Sequence, residues 1–174
     1  MRNWLRKIFG WREEYPVSFY LTDIFFRKIL RHNAEVKWPV HFTSTIRSAK
    51  KLIIGKETFP GDSPNNYINA TNGIYVGDYT NIGPNVSIIS SNHDVYENQK
   101  ILFASPIKIG KHCWIGSHSV LLPAVVLGDY TIVGAGTVVT KSFEEGYCVI
   151  AGNPAKIIKY LDKEKCQTIE RSSI

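Results

Sequence analysis

No apolar run in this 174-residue sequence approaches the roughly 20 residues needed to cross a bilayer. The opening residues, MRNWLRKIFGWREE, hold neither a continuous apolar segment nor a small-residue cleavage site, so no secretory signal is expected there. Cysteine is scarce. Cys113, Cys148 and Cys166 show no paired spacing and no CxxC, which argues for reduced thiols and against a structural zinc. The expected compartment is the cytoplasm. Zinc-finger, RNP and recognition-helix patterns are missing, which removes nucleic acid as a partner class. A nucleophile elbow and a Cys–His motif are missing too.

Negative charge is short. The 21 Lys and Arg outnumber the 15 Asp and Glu, for a net charge of +6. Up to residue 31 there are seven basic and three acidic positions, so +4 of the excess lies in that stretch. Phosphates of a cofactor or an anionic membrane surface are the economical partners for such charge.

What the chain does have is a repeat. From Ile109 to Thr140 it reads in sixes: IGKHCW, IGSHSV, LLPAVV, LGDYTI, VGAGTV, then VT. An aliphatic residue falls at 109, 115, 121, 127, 133 and 139, and glycine follows it at 110, 116, 128 and 134. A small or β-branched residue sits four places on at Ser119, Val125, Thr131 and Thr137. A period of six rotates around a helix, and Gly, Pro and Asp interrupt any simple strand. A short strand and a tight corner, repeated, satisfies both constraints. The aliphatic residue points into a narrow core and the small residues let the backbone turn. A set of glycine-rich hairpins would not keep five consecutive matches in frame.

The frame extends backwards, with interruptions. IGKETF begins at Ile54, and PGDSPNNYINATNG is turn-rich and expected to loop off the repeat. VGDYTN at 76, IGPNVS at 82 and II at 88 restore one full coil. SSNHDVYENQKILFASP then leaves the frame, which resumes near Ile107. After Thr140, KSFEEG reads as a short excursion and YCVIAGNPAKII as a return. Asn153 and Pro154 read as the cap and first turn of a final helix, AKIIKYLDKEKC.

These residues resemble the hexapeptide-repeat acyltransferases, over roughly Trp38 to Leu161. The resemblance implies a mainly β fold, a left-handed parallel β-helix in which three hexapeptides complete a coil. The division expected is an N-terminal helical extension over 1–37, the β-helix over 38–155, and a short C-terminal helix and tail over 156–174. SFYLTDIFFRKILRHN reads as an amphipathic helix whose Phe19, Ile24, Phe25, Ile29 and Leu30 would pack on the β-helix or a neighbouring subunit. Residues 1–14 place Trp4, Ile8 and Trp11 at helical spacing with Arg2, Arg6 and Lys7 between them. That stretch suits either a lid on the first coil or peripheral contact with a membrane.

SSNHD looks like the loop motif whose histidine is the general base in sugar O-acetyltransferases and xenobiotic acetyltransferases. Taking a proton from an acceptor hydroxyl is work that an imidazole such as that of His93 can do. The resemblance gives Asn92 and Asp94 a part in orienting the imidazole or holding the acceptor. Trp114, in HCWIG, matches a side chain that packs along acetyl-CoA. Ser117 matches a position whose backbone N–H faces the thioester and the oxyanion formed from it. Ala135, Thr140, Lys141, Lys156 and Lys159 match further cofactor contacts, Lys156 and Lys159 near its phosphates. His112 and His118 stand six apart, which puts them on adjacent faces, and no metal is expected. The implied protein is a cytoplasmic homotrimer with sites between subunits, with peripheral membrane association through residues 1–14 left open. It would transfer acetyl from acetyl-CoA to a sugar hydroxyl in bacterial surface polysaccharide biosynthesis. An N-acetyltransferase of an amino-sugar nucleotide or antibiotic and a catalytically silent assembly scaffold are the alternatives.

Overall fold

A computed structural model describes residues 15–172, so the Trp4–Trp11 segment lies outside the described residues. The chain winds as a parallel β-helix of three faces. Coil one supplies β1 (Thr45–Arg47) and β2 (Leu52–Ile54). Coil two supplies β3 (Tyr67–Asn69), β4 (Ile74–Val76) and β5 (Asn81–Ile82). Coil three adds β6 (Ser87–Ile89), β7 (Ile107–Ile109) and β8 (Trp114–Ile115). Coil four adds β9 (Val120–Leu121), β10 (Val126–Leu127) and β11 (Thr131–Val133). Coil five supplies β12 (Val138–Val139) and β13 (Cys148–Ala151). Stacked, these make a first face β1-β3-β6-β9-β12, a second β2-β4-β7-β10 and a third β5-β8-β11-β13.

The aliphatic frame lies in three inward columns. Ile46, Ile68, Ile88, Leu121 and Val139 are in register on the first face. Ile54, Val76, Ile109 and Leu127 follow on the second, and Ile82, Ile115, Val133 and Ile150 on the third. All but the half-buried Ile54 are buried. Each such side chain contributes roughly 1.5–3 kcal/mol through burial. The positions four places on (Ser119, Val125, Thr131 and Thr137) are buried as well, and the Ser119 hydroxyl donates to the Gly134 carbonyl at 3.0 Å.

At the corners the glycines are required by the coil above. A Cβ on Gly116 would stand 2.6 Å from the Val133 oxygen and 2.7 Å from the Ala135 nitrogen. The corner between the second and third faces carries left-handed residues that are not glycine: Tyr79, His112, Tyr130 and Tyr147, with φ of 55°, 53°, 57° and 46°. Their rings stack in one ladder at 5.1, 4.8 and 5.1 Å between centroids. Such pairs are worth about 0.5–1.5 kcal/mol each, which offsets part of a conformational cost of about 1–2 kcal/mol per residue. His112 belongs to this ladder, whereas His118 sits at the corner between the third and first faces.

Three stretches differ from expectation. PGDSPNNYINATNG does not leave the prism: it contains β3, and Ile68 is fully buried. KSFEEG also stays, because Phe143 bridges Leu127 and takes the second-face place in coil five. The expected helix after Pro154 is instead β14 (Lys156–Tyr160), antiparallel to β13 and covering its free edge, after a cis Asn153–Pro154 peptide. The helix α2 (Lys163–Ser172) starts only beyond it.

Before the prism runs α1 (Val17–Ile24), continued by a π-helical turn over Phe25–Ile29. Its inner side is polar. Asp23 is buried, pairs with Arg27 at 2.6 Å and accepts the Val40 N–H at 3.0 Å, while Arg27 donates to the Val36 carbonyl at 2.8 Å. Val36 and Val40 close the bottom of the core. The expected packing of Ile24, Phe25, Ile29 and Leu30 on the β-helix is not seen, since all four are exposed. The ion pair and Tyr20 make the docking contact instead.

Candidate active site

The one long insertion in the prism leaves the corner between the first and second faces on coil three. It is a hairpin. His93 bridges Ile101, the Leu102 N–H donates to the Asn92 carbonyl at 2.8 Å, and the Asp94 N–H donates to the Lys100 carbonyl at 2.8 Å. Asp94 closes the turn, its Oδ1 accepting the N–H groups of Tyr96 at 2.8 Å and Glu97 at 3.1 Å. The base is pinned to coil two by Asn72. Its Nδ2 donates to the carbonyls of Ser90 at 2.9 Å and Leu102 at 3.0 Å. His93 is thus an exposed imidazole on a braced loop, facing outward with Ile101 opposite it.

A second group of candidates lines the other end of the first face. Trp114 stands on the third face between Asn81 and Ile132, 58% exposed. Three residues on, Ser117 forms the corner between the third and first faces. Its carbonyl accepts the Gly136 N–H at 2.8 Å, but its own N–H donates to no group among the described residues. Ala135 is exposed at the same corner one coil above, roughly 4.8 Å higher by strand spacing. Lys156 and Lys159 follow on β14, level with Ala151 and Val149, and both are exposed. Thr140 and Lys141 belong with His93, at the corner between the first and second faces on coil five.

The candidate residues therefore fall on two corners separated by the first face. One corner carries His93, Thr140 and Lys141; the other carries Trp114, Ser117, Ala135 and Lys156. A face of about six residues spans up to about 20 Å, too far for a base and an oxyanion donor to act on one reacting centre. Both corners nevertheless present their groups on the same coils, with His93 and Ser117 on the third.

Sequence reasoning missed a polar cleft of about 360 Å³ below Trp114, lined by Asp62, Ser63, Thr80, Asn81 and Gly83 among others. Tyr15 donates to Asp62 across its floor at 3.0 Å. Asp62 and Ser63 belong to the turn after coil one and Thr80, Asn81 and Gly83 to coil two, while Tyr15 precedes the prism and Trp114 lies on coil three, so no local motif announces them. Among the described residues, no three His, Cys, Asp or Glu side chains gather in a metal-binding group. Burial pushes the Cys113 thiol up to about 12, so that thiol is no nucleophile at neutral pH.

Residues 106–141 match the family model described as bacterial transferase hexapeptide (six repeats). The galactoside O-acetyltransferase of Escherichia coli K12 is 36% identical over 96 residues, covering 53% of this chain and 47% of that protein. The chain thus spans about half the length of the curated relatives it matches first. A protein of the same organism named putative colanic acid biosynthesis acetyltransferase WcaF is 29% identical over 159 residues, 87% of this chain and 80% of that one. Among solved structures, a galactoside acetyltransferase in complex with coenzyme A superposes with a TM-score of 0.55 at 27% identity. That match covers 71% of this chain and 65% of the other.

Proposed function

We propose that this chain, a hexapeptide-repeat protein with the left-handed parallel β-helix fold, is an acetyl-CoA-dependent O-acetyltransferase acting on a sugar hydroxyl. The observation that carries the reading is the distribution of its polar groups by coil. On coil three, the Ser117 N–H donates to no group among the described residues. Above it the corner is small at Ala135 and then basic at Lys156, which suits a pantetheine arm ending in phosphates. Below it lies the hydrogen-bonding cleft around Asp62, Ser63 and Asn81, which suits a sugar. Donor and acceptor would meet at Ser117.

The base comes from a second copy. In a threefold assembly with parallel axes, the corner bearing His93, Thr140 and Lys141 faces the neighbour's corner bearing Ser117 and Ala135, coil for coil. His93 takes the proton from the acceptor hydroxyl as its oxygen attacks the acetyl carbonyl. The Ser117 N–H stabilises the oxyanion, and collapse expels CoA as the thiolate, which takes the proton from the imidazolium. Lys141 from one copy and Lys156 and Lys159 from the other supply positive charge at the phosphate end. The near full-length likeness to a protein named for colanic acid biosynthesis supports a polysaccharide acceptor or its precursor.

The test is thiol release from acetyl-CoA across a panel of sugar acceptors, for wild type and His93→Ala. The expected result is acceptor-dependent turnover that falls about 10²- to 10⁴-fold in the variant, with CoA affinity unchanged. Turnover insensitive to the substitution would remove His93 from the reaction.

A further inference from the structure

We infer that the outward face of α1 and its π-helical continuation is a docking surface for an anionic lipid bilayer. Val17, Leu21, Ile24, Phe25, Ile29 and Leu30 lie along the side opposite the Asp23–Arg27 contact. Each is exposed, from 43% at Ile24 to 66% at Ile29. The helix is held rigidly by its other side, through Tyr20 and Asp23, so this stripe is presented to solvent rather than turned inward.

Charge selects the occupant. Between Asp23 and Glu35 the chain carries Arg27, Lys28, Arg31 and His32 and no acidic residue. Lys28 and Arg31 are exposed and have no acidic partner among the described residues, while Arg27 is spent on Asp23. A second copy docked face to face would set Lys28 and Arg31 of one against those of the other, which disfavours that occupant. A surface of lipid phosphates satisfies both features at once. The apolar residues enter the acyl boundary and the basic ones stay with the headgroups. The sequence ahead of α1 adds Trp4, Trp11, Arg2, Arg6, Lys7 and Arg12, with Glu13 and Glu14 the acidic residues among them. A helix lying in the interface requires no spanning segment, and no described helix is long and apolar enough to cross a membrane.

The experiment is co-sedimentation of the full chain with phosphatidylcholine vesicles, with and without phosphatidylglycerol, with sedimentation velocity on the same samples. The wild type is expected to bind the anionic vesicles and lose binding as salt rises. Leu21→Glu with Phe25→Glu should cut the partition coefficient at least tenfold, and Lys28→Glu with Arg31→Glu should do the same on anionic vesicles only. All four side chains are exposed, so both variants should keep the wild-type thermal midpoint and oligomeric state. Undiminished vesicle binding by Leu21→Glu/Phe25→Glu would overturn the inference, as would no vesicle binding by the wild type. A smaller oligomer on that substitution, with vesicle binding unchanged, would assign the face to a second copy.

Discussion

Ser117 acts in this account through its main chain, which makes an unusual experiment available. The equivalent corner one coil below is Pro84, following Gly83 as Ser117 follows Gly116, and the next residue is left-handed in both cases (Asn85 and His118, φ 58° and 61°). Proline therefore fits the corner geometry, and Ser117→Pro removes the N–H alone. The expected result is a fall in kcat of about 10²- to 10³-fold with the thermal midpoint kept, whereas Ser117→Ala leaves kcat close to wild type. A second residue-scale expectation concerns Cys113. Its thiol is 2% exposed and its folded pKa is about 12, raised from 9.0 chiefly by burial. As pH climbs past 9 the unfolded thiol ionises while the folded one stays protonated, so this group's contribution to stability declines toward pH 12. Native protein titrated with a thiol reagent at pH 8 should leave Cys113 unmodified until denaturant is added. The loop position of His93 was legible in the sequence because the residue sits in the stretch that abandons a strict period. The unpaired Ser117 N–H was not, since only the stacking of coils decides which corner amides find partners.

The hairpin carrying His93 is the element whose stiffness matters most. Asp94 could hold the acceptor or hold the turn, and the structure gives its Oδ1 two backbone N–H donors. Asp94→Asn keeps that acceptor and should change kcat by less than about threefold, while Asp94→Ala loosens the turn and should lower kcat about tenfold. A rise in KM for the sugar in both variants would place Asp94 on the acceptor instead. The prism is less forgiving. Gly116→Ala drives a Cβ into backbone on the next coil and should cost about 1–3 kcal/mol in denaturant unfolding.

Elements were readable where the period held. Six aliphatic positions from Ile109 to Val139 all point inward. They were hidden where it slipped: Ile68 lies 22 residues after its column partner Ile46 instead of 18, and Phe143 has no glycine after it. The KIIKY segment reads equally well as helix or strand. The unpaired edge of β13 decided for strand.

At the scale of the whole molecule, the proposed site divides into two halves that one chain cannot bring together. The resemblance in the motifs supplied the candidate groups, but their division between two corners emerges only once the coils are counted. The polar cleft below Trp114 emerges the same way. The measurement that tests this most directly is subunit complementation. His93→Ala spoils one corner, and Ala135→Trp blocks the other by filling the path of the pantetheine arm. Each variant alone is expected to be inactive. Unfolded together in equal amounts and refolded, they should form mixed trimers of the 19.7 kDa chain. About one interface in four then pairs an intact His93 with an intact Ala135 corner, so about a quarter of wild-type turnover should return. Mixed trimers with no recovered turnover would contradict the account, because base and thioester site would then belong to one chain.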